Sequence, residues 1–141
     1  MGSDHAGVQL KAVLSAYLQP EYQILDVGTN SSASCHYPLL AKDLALKVLE
    51  KKCLGILICG SGLGMSMAAN RIQGIRAALC TNEYLARMSR EHNNANVLCL
   101  GERVIGIDLA KSIVDSFLSA EFAQGRHQIR VDLLEELAPR V

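Results

Sequence analysis

The sequence predicts an α/β fold, a doubly wound αβα sandwich with a mostly parallel sheet, and three observations predict it. Strand-like apolar runs alternate with helical periodicities along nearly all of the 141 residues. The run 54–59 is a continuous apolar strand of the kind covered on both faces. The turns between segments are short and polar, as crossover connections between parallel strands are. With no linker, repeat or low-complexity tract, residues 1–141 are expected to form a single domain.

The elements follow in order. Val8, Leu10, Val13, Leu14, Tyr17 and Leu18 recur at helical spacing, and Pro20 closes that helix. Residues 22–27 alternate as a strand does and stop at Gly28. After a polar loop, Tyr37 and Pro38 open a second amphipathic helix that ends at Glu50, Lys51 and Lys52. The strand 54–59 runs into a glycine-rich turn, a short helix over 65–70 and a strand over 75–80. Thr81 or Asn82 caps a helix reaching about Glu91; a strand over 96–100 and a helix over 107–118 come next. Gly125 breaks the pattern before a last amphipathic segment that carries Ile129, Val131, Leu133, Leu134 and Leu137. The whole reads as a Rossmann-like sandwich. Its first βα unit is expected to lack its strand, because a turn and a helix follow Gly2 directly.

Composition narrows the function. Half the residues are hydrophobic, a fifth are charged and the formal net charge is zero, a balance that indicates neither disorder nor a basic footprint for nucleic acid. The longest apolar runs fall far short of the roughly 20 residues of a membrane helix. Cys35, Cys53, Cys59, Cys80 and Cys99 form no C-x-x-C pair and no regular metal spacing, and read as reduced thiols of a cytoplasmic protein.

In open α/β sheets, ligands bind beyond the carboxyl ends of the strands, where helix N-termini favour anions. That rule selects Asp4 and His5, Gly28 and Thr29, the turn Gly60, Ser61, Gly62, Leu63 and Gly64, the pair Cys80 and Thr81, and Gly101 to Arg103. The glycine turn is close to a dinucleotide fingerprint, but Met65 stands where its third glycine belongs, and the next strand ends in Cys80-Thr81 instead of an acidic residue. A tight strand-to-helix turn with Cys59 as buried filler explains the same letters. The alternative is chemical, since a helix N-terminus favours the thiolate of a cysteine placed there, ready to act as base or nucleophile. His92 lies at a helix end, within Glu-His-Asn-Asn-Ala-Asn. Arg126 and Arg130 stand at i, i+4 spacing, which suits a phosphate or a solvated basic face equally.

These residues together carry a resemblance. Asp4-His-Ala-Gly7, Cys59-Gly-Ser-Gly-Leu-Gly-Met-Ser66 with Ala68-Ala-Asn-Arg71, Gly74-Ile-Arg-Ala-Ala78, His92-Asn-Asn-Ala-Asn96 and Gly125-Arg-His-Gln-Ile-Arg130 follow one another as in the sugar-phosphate isomerase family. That family comprises the type B ribose-5-phosphate isomerases and the galactose-6-phosphate isomerase subunits, and the likeness spans nearly the whole chain. It implies interconversion of ribose 5-phosphate and ribulose 5-phosphate through a cis-enediolate, with no metal and no organic cofactor. It implies Cys59 as the base between C2 and C1, His92 as the residue that opens the furanose ring, and Ser61 as a hydroxyl near the reacting oxygens. The amides of residues 60–64 correspond to an anion hole. His5, Arg103, Arg126 and Arg130 correspond to phosphate ligands, and Asp4, Tyr37 and Asn93 to sugar contacts. The resemblance further implies a homodimer with its sites between subunits, or a tetramer of such dimers. One branch of the family carries a glutamate at the position of Met65, and Met65 cannot abstract a proton, which leaves Cys59 as the base in this chain. A six-carbon specificity for allose 6-phosphate or galactose 6-phosphate is a neighbouring reading. A module that only binds a phosphometabolite or nucleotide is another, but such a module needs neither the thiol nor the histidine.

Overall fold

The structure, a computed structural model, describes residues 1–137, so the last four residues of the expected domain lie outside the described residues. The elements are β1 (Gly2–Ser3), α1 (Val8–Leu18), α2 (Tyr37–Lys51), β2 (Gly55–Cys59), α3 (Leu63–Ala69), β3 (Ala77–Leu79), α4 (Glu83–Glu91), β4 (Val97–Gly101), α5 (Ile107–Ser119) and α6 (Arg126–Glu136). The strands lie in the order β1-β2-β4-β3, and each neighbouring pair is parallel. The α/β sandwich read from the sequence is the fold observed.

Side-chain alternation along the strands divides the core in two. Ile56 and Ile58 of β2, with Leu98 and Leu100 of β4, meet Leu10, Leu14 and Leu18 of α1 and Ile113, Val114 and Phe117 of α5. Leu57, Cys59, Val97 and Cys99 point the other way, onto Ala41, Leu44, Ala45 and Val48 of α2 and Met65 and Ala69 of α3. Helix boundaries follow local chemistry. Pro38 occupies the first turn of α2, where its missing N–H costs nothing, and the helix ends at Lys52 in the left-handed region (φ 50°). Asn82 is the cap of α4, its side chain accepting the Leu85 N–H at 2.9 Å. Among the described residues no helix is long and apolar enough to cross a membrane.

Two expectations are corrected. The opening strand is present as a stub: Gly2 and Ser3 pair with Leu57 and Ile58 of β2, and both are buried. Residues 22–27 do not form a strand. They run beside β1, where Leu25 accepts from the Met1 ammonium at 2.6 Å and the Val27 and Thr29 N–H groups donate to Met1 and Ser3 at 2.9 and 3.0 Å. A ladder needs a partner of comparable length, and β1 is too short to pair with residues 22–24. A groove of about 540 Å³ opens there, lined by Met1, Ile24, Leu25, Leu44, Val48 and Ile56 among others.

Candidate active site

Parallel strands deliver their carboxyl ends to one rim of the sheet, so the loops after β1, β2 and β4 share that rim. Cys59, the last residue of β2, lies opposite Gly101 of β4, and its side chain is 6% exposed. Its Sγ accepts the Gly62 N–H at 3.1 Å. Gly62 has φ +79°, a region that L side chains avoid, and a β-carbon there would lie 3.0 Å from the Leu100 carbonyl carbon. The turn is therefore available to glycine only, and it aims a backbone donor at the sulfur. Ser61 is exposed, and its hydroxyl accepts the Leu63 N–H at 3.3 Å.

The neighbouring loops close on this turn. The Glu102 and Arg103 N–H groups donate to the Cys59 and Gly60 carbonyls at 2.9 and 3.0 Å. The Arg103 guanidinium then lies against Gly60, with Nη1 3.1 Å from where a β-carbon on that glycine would stand. On the opposite flank the Tyr37 ring packs on Gly64 so closely that a β-carbon there would fall 2.7 Å from the ring. Buried Asp4 donates its N–H to the Ile58 carbonyl at 3.2 Å, and its carboxylate folds back to accept the Ala6 N–H at 2.9 Å. That turn presents His5, whose Nδ1 accepts the Cys35 N–H at 3.3 Å, leaving the Nε2–H as its donor.

The other predicted residues lie elsewhere. His92 is the C-cap of α4 and precedes β4, which puts it, with Asn93, at the amino-end rim of the sheet. Arg126 and Arg130 sit on α6 at that same rim, because His127 between them stacks on His92 with ring centroids 4.2 Å apart and planes 10° from parallel. Glu135, at the far end of α6, pairs with Arg76 just before β3. The five residues of β4 span about 13 Å at 3.3 Å per residue, and this length separates the two groups within one chain. Partial desolvation, followed by the proximity of His92, Arg126 and Arg130, holds the His127 imidazole below the usual histidine range.

Two residues that the strand-end rule did not select, Cys35 and His127, emerge from the structure, and a third that it did select, Glu102, gains a partner. The Glu102 carboxylate accepts the Leu10 N–H at 2.8 Å, joining the loop after β4 to the first turn of α1, next to His5. Cys35 sets the tautomer of His5. His127 backs His92. Glu102 had a signal, since it is an acid directly after a strand; Cys35 had none, because the contact joins residues 30 apart.

The cysteines are all free thiols but differ in reach. Burial pushes the Cys80 thiol up to about 11, only partly offset by Ser89. Burial, with Cys59 and Cys80 nearby, pushes Cys99 higher still. At pH 8 a thiol of that first kind is ionised to about one part in a thousand. Alkylation of the native protein at pH 8, followed by mass spectrometry, is expected to modify exposed Cys53 first and to leave Cys80 and Cys99 free until the chain is denatured. Labelling of either buried thiol at the Cys53 rate would contradict this ordering.

The chain matches the model of a family described as Ribose/Galactose Isomerase over residues 1–134. The chain belongs to the ribose/galactose isomerase family. It is 45% identical to ribose-5-phosphate isomerase B of Escherichia coli K12 over 141 residues, covering 99% of this chain and 95% of the relative. It is 45% identical to a probable ribose-5-phosphate isomerase B of Mycoplasma genitalium, covering 94% and 90%. Among solved structures, ribose-5-phosphate isomerase B of Clostridium thermocellum superposes with a TM-score of 0.94 at 52% identity, over 96% of this chain and 93% of that one. The Thermotoga maritima ribose 5-phosphate isomerase gives 0.94 at 48% identity, over 96% and 95%. These family members share the fold described above over nearly its full length.

Proposed function

We propose that this chain is an aldose–ketose isomerase that interconverts ribose 5-phosphate and ribulose 5-phosphate, with Cys59 as the base. The carrying observation is the thiol of Cys59 at the carboxyl end of β2, accepting a hydrogen bond from Gly62 N–H inside a turn of close-set backbone amides. Relatives bearing the ribose-5-phosphate isomerase B name at 45% identity support the substrate.

The chemistry runs as proton transfer alone. His92 opens the furanose by moving a proton between the anomeric hydroxyl and the ring oxygen. The Cys59 thiolate removes the proton on C2 of the open aldehyde, and the electron pair moves through the new C1–C2 double bond onto O1, giving a cis-enediolate. Amides of residues 60–64 and the Ser61 hydroxyl donate to this developing charge more strongly than to the neutral carbonyl. The Cys59 thiol returns its proton to C1 while the hydrogen on O2 passes to O1, and the ketose is complete. His5, Arg103, Arg126 and Arg130 hold the phosphate, and Asp4, Tyr37 and Asn93 the hydroxyls. Binding energy from the phosphate, remote from C1 and C2, positions them for the transfer.

His92, Asn93, Arg126 and Arg130 reach Cys59 only from another copy, because one β4 length separates the two rims in a single chain. A homodimer with its sites between subunits is therefore part of the proposal. Large apolar side chains left open on α3 and α6 support it: Leu63 and Met67 are 51% and 66% exposed, Ile129 and Leu133 65% and 54%.

The test is a coupled assay of the purified chain against ribose 5-phosphate, allose 6-phosphate and galactose 6-phosphate. The expected result is kcat/KM highest for ribose 5-phosphate. A preference for either six-carbon substrate overturns the substrate assignment, and turnover of none overturns the enzyme reading.

A further inference from the structure

Lys11 is the one lysine among the buried polar and charged residues, with 3% of its side chain exposed, and the isomerase chemistry does not use it. It interrupts an otherwise apolar helix face, between Leu10 and Leu14 of α1. A buried ammonium is tolerated only when its donors are met. Here the Nζ donates to both Asp26 carboxylate oxygens at 2.8 Å, to the Thr29 carbonyl at 2.7 Å and to the Asn30 side-chain oxygen at 2.9 Å.

Thr29 and Asn30 lie at the start of the loop over residues 28–36, and Asp26 stands two residues before it. Its sequence, Gly-Thr-Asn-Ser-Ser-Ala-Ser-Cys-His, supplies small or polar residues and no large apolar anchor. Its internal bonds are local: Ser31 N–H to the Thr29 hydroxyl at 3.2 Å, and Ala33 N–H to the Ser31 hydroxyl at 3.1 Å. The far end of the loop touches the site through the Cys35 N–H on His5, and Tyr37, which follows it at the start of α2, packs on Gly64. The lysine thus secures one end of a segment whose other end forms the wall beside His5.

We infer that Lys11 is a positioning residue for the wall of the site between His5 and Tyr37: its ammonium holds the 28–36 loop in one shape against His5 and thereby sets how long a sugar phosphate is accepted. The inference rests on the sugar-phosphate reading of this same site. A wall held in place discriminates one added carbon by about 10–200-fold in a fitted pocket. A loop that keeps the bound shape about a tenth of the time weakens apparent affinity about tenfold and no longer rejects the longer sugar.

Two variants test it, Lys11→Met and Asn30→Ala, each built on Cys59→Ala so that binding is measured without turnover. The readouts are amide hydrogen exchange over residues 29–35 and calorimetric affinities for ribose 5-phosphate and allose 6-phosphate. Expected for Lys11→Met are exchange faster by about tenfold in that segment alone, ribose 5-phosphate affinity lower by about tenfold, and a smaller ratio between the two sugars. Asn30→Ala removes one tether without stranding the Asp26 charge, is expected to shift all three readouts in the same direction by less, and decides the matter if Lys11→Met does not fold. Unchanged loop exchange, or an unchanged ratio between the sugars in a folded variant, overturns the role of Lys11. Failure of the parent chain to bind either sugar phosphate overturns the functional reading, and this inference with it.

Discussion

Cys59→Ala is expected to lower kcat for ribose 5-phosphate by about 10²–10⁴-fold, the range for loss of a positioned general base, while the dissociation constant for the substrate stays within about threefold. The split follows from where the sulfur sits. It ends a strand buried on both faces and, in the proposed mechanism, meets the substrate only at C1 and C2, whereas the groups proposed for the phosphate lie on other loops and on α6. Losing one small buried side chain leaves a limited cavity, so the fold should persist with about 1 kcal/mol less stability. Cys59→Ser preserves the shape but offers a hydroxyl that is scarcely ionised near neutral pH, and it should fail similarly. Near-normal turnover in either variant would remove Cys59 from the mechanism and leave the glycine turn as an anion cradle without a base.

Mixing two inactive variants should restore activity. Cys59→Ala lacks the proposed base but retains His92, and His92→Ala the reverse. When equal amounts are unfolded together and refolded, half of randomly formed dimers are mixed and one of the two sites in each holds both native residues, so about a quarter of the wild-type rate is expected. The distance between the rims makes this a sharp test, since a site complete within one chain gives no rescue at any ratio. Activity that stays at the level of the separate variants, with mixed dimers demonstrated by mass spectrometry, would sink the shared-site proposal. In the proposed shared site, the stacked His92 and His127 rings give the second half-site a defined shape on its own chain.

Much of this molecule can be read from local pattern. Leucines at positions 10, 14 and 18 face one way on a helix because burial selects side chains at a fixed local period, and the short apolar run through Cys59, bounded by a glycine turn, reads as a buried strand. The glycine turn with a cysteine before it is likewise a statement about neighbours in the chain, and so is the cap at Asn82. The ladder is different. Residues 22–27 alternate like a strand but lack a partner long enough to pair with, and a strand exists only with such a partner.

By itself, then, the sequence determined the α/β class, the helix and strand faces, and the placement of Cys59 at the end of one strand and of His92 before another. Only the tertiary structure decided that these two belong to opposite rims, because that requires β2 and β4 to run parallel with Cys59 opposite Gly101. It alone brought the Glu102 carboxylate onto Leu10, 92 residues away, and gathered Asp26, Thr29 and Asn30 around the Lys11 ammonium. The reason is physical. Periodicity reports what each segment must hide from water, whereas a buried charge or carboxylate is satisfied by whichever donors and acceptors the packed fold brings to it, and no local period records that.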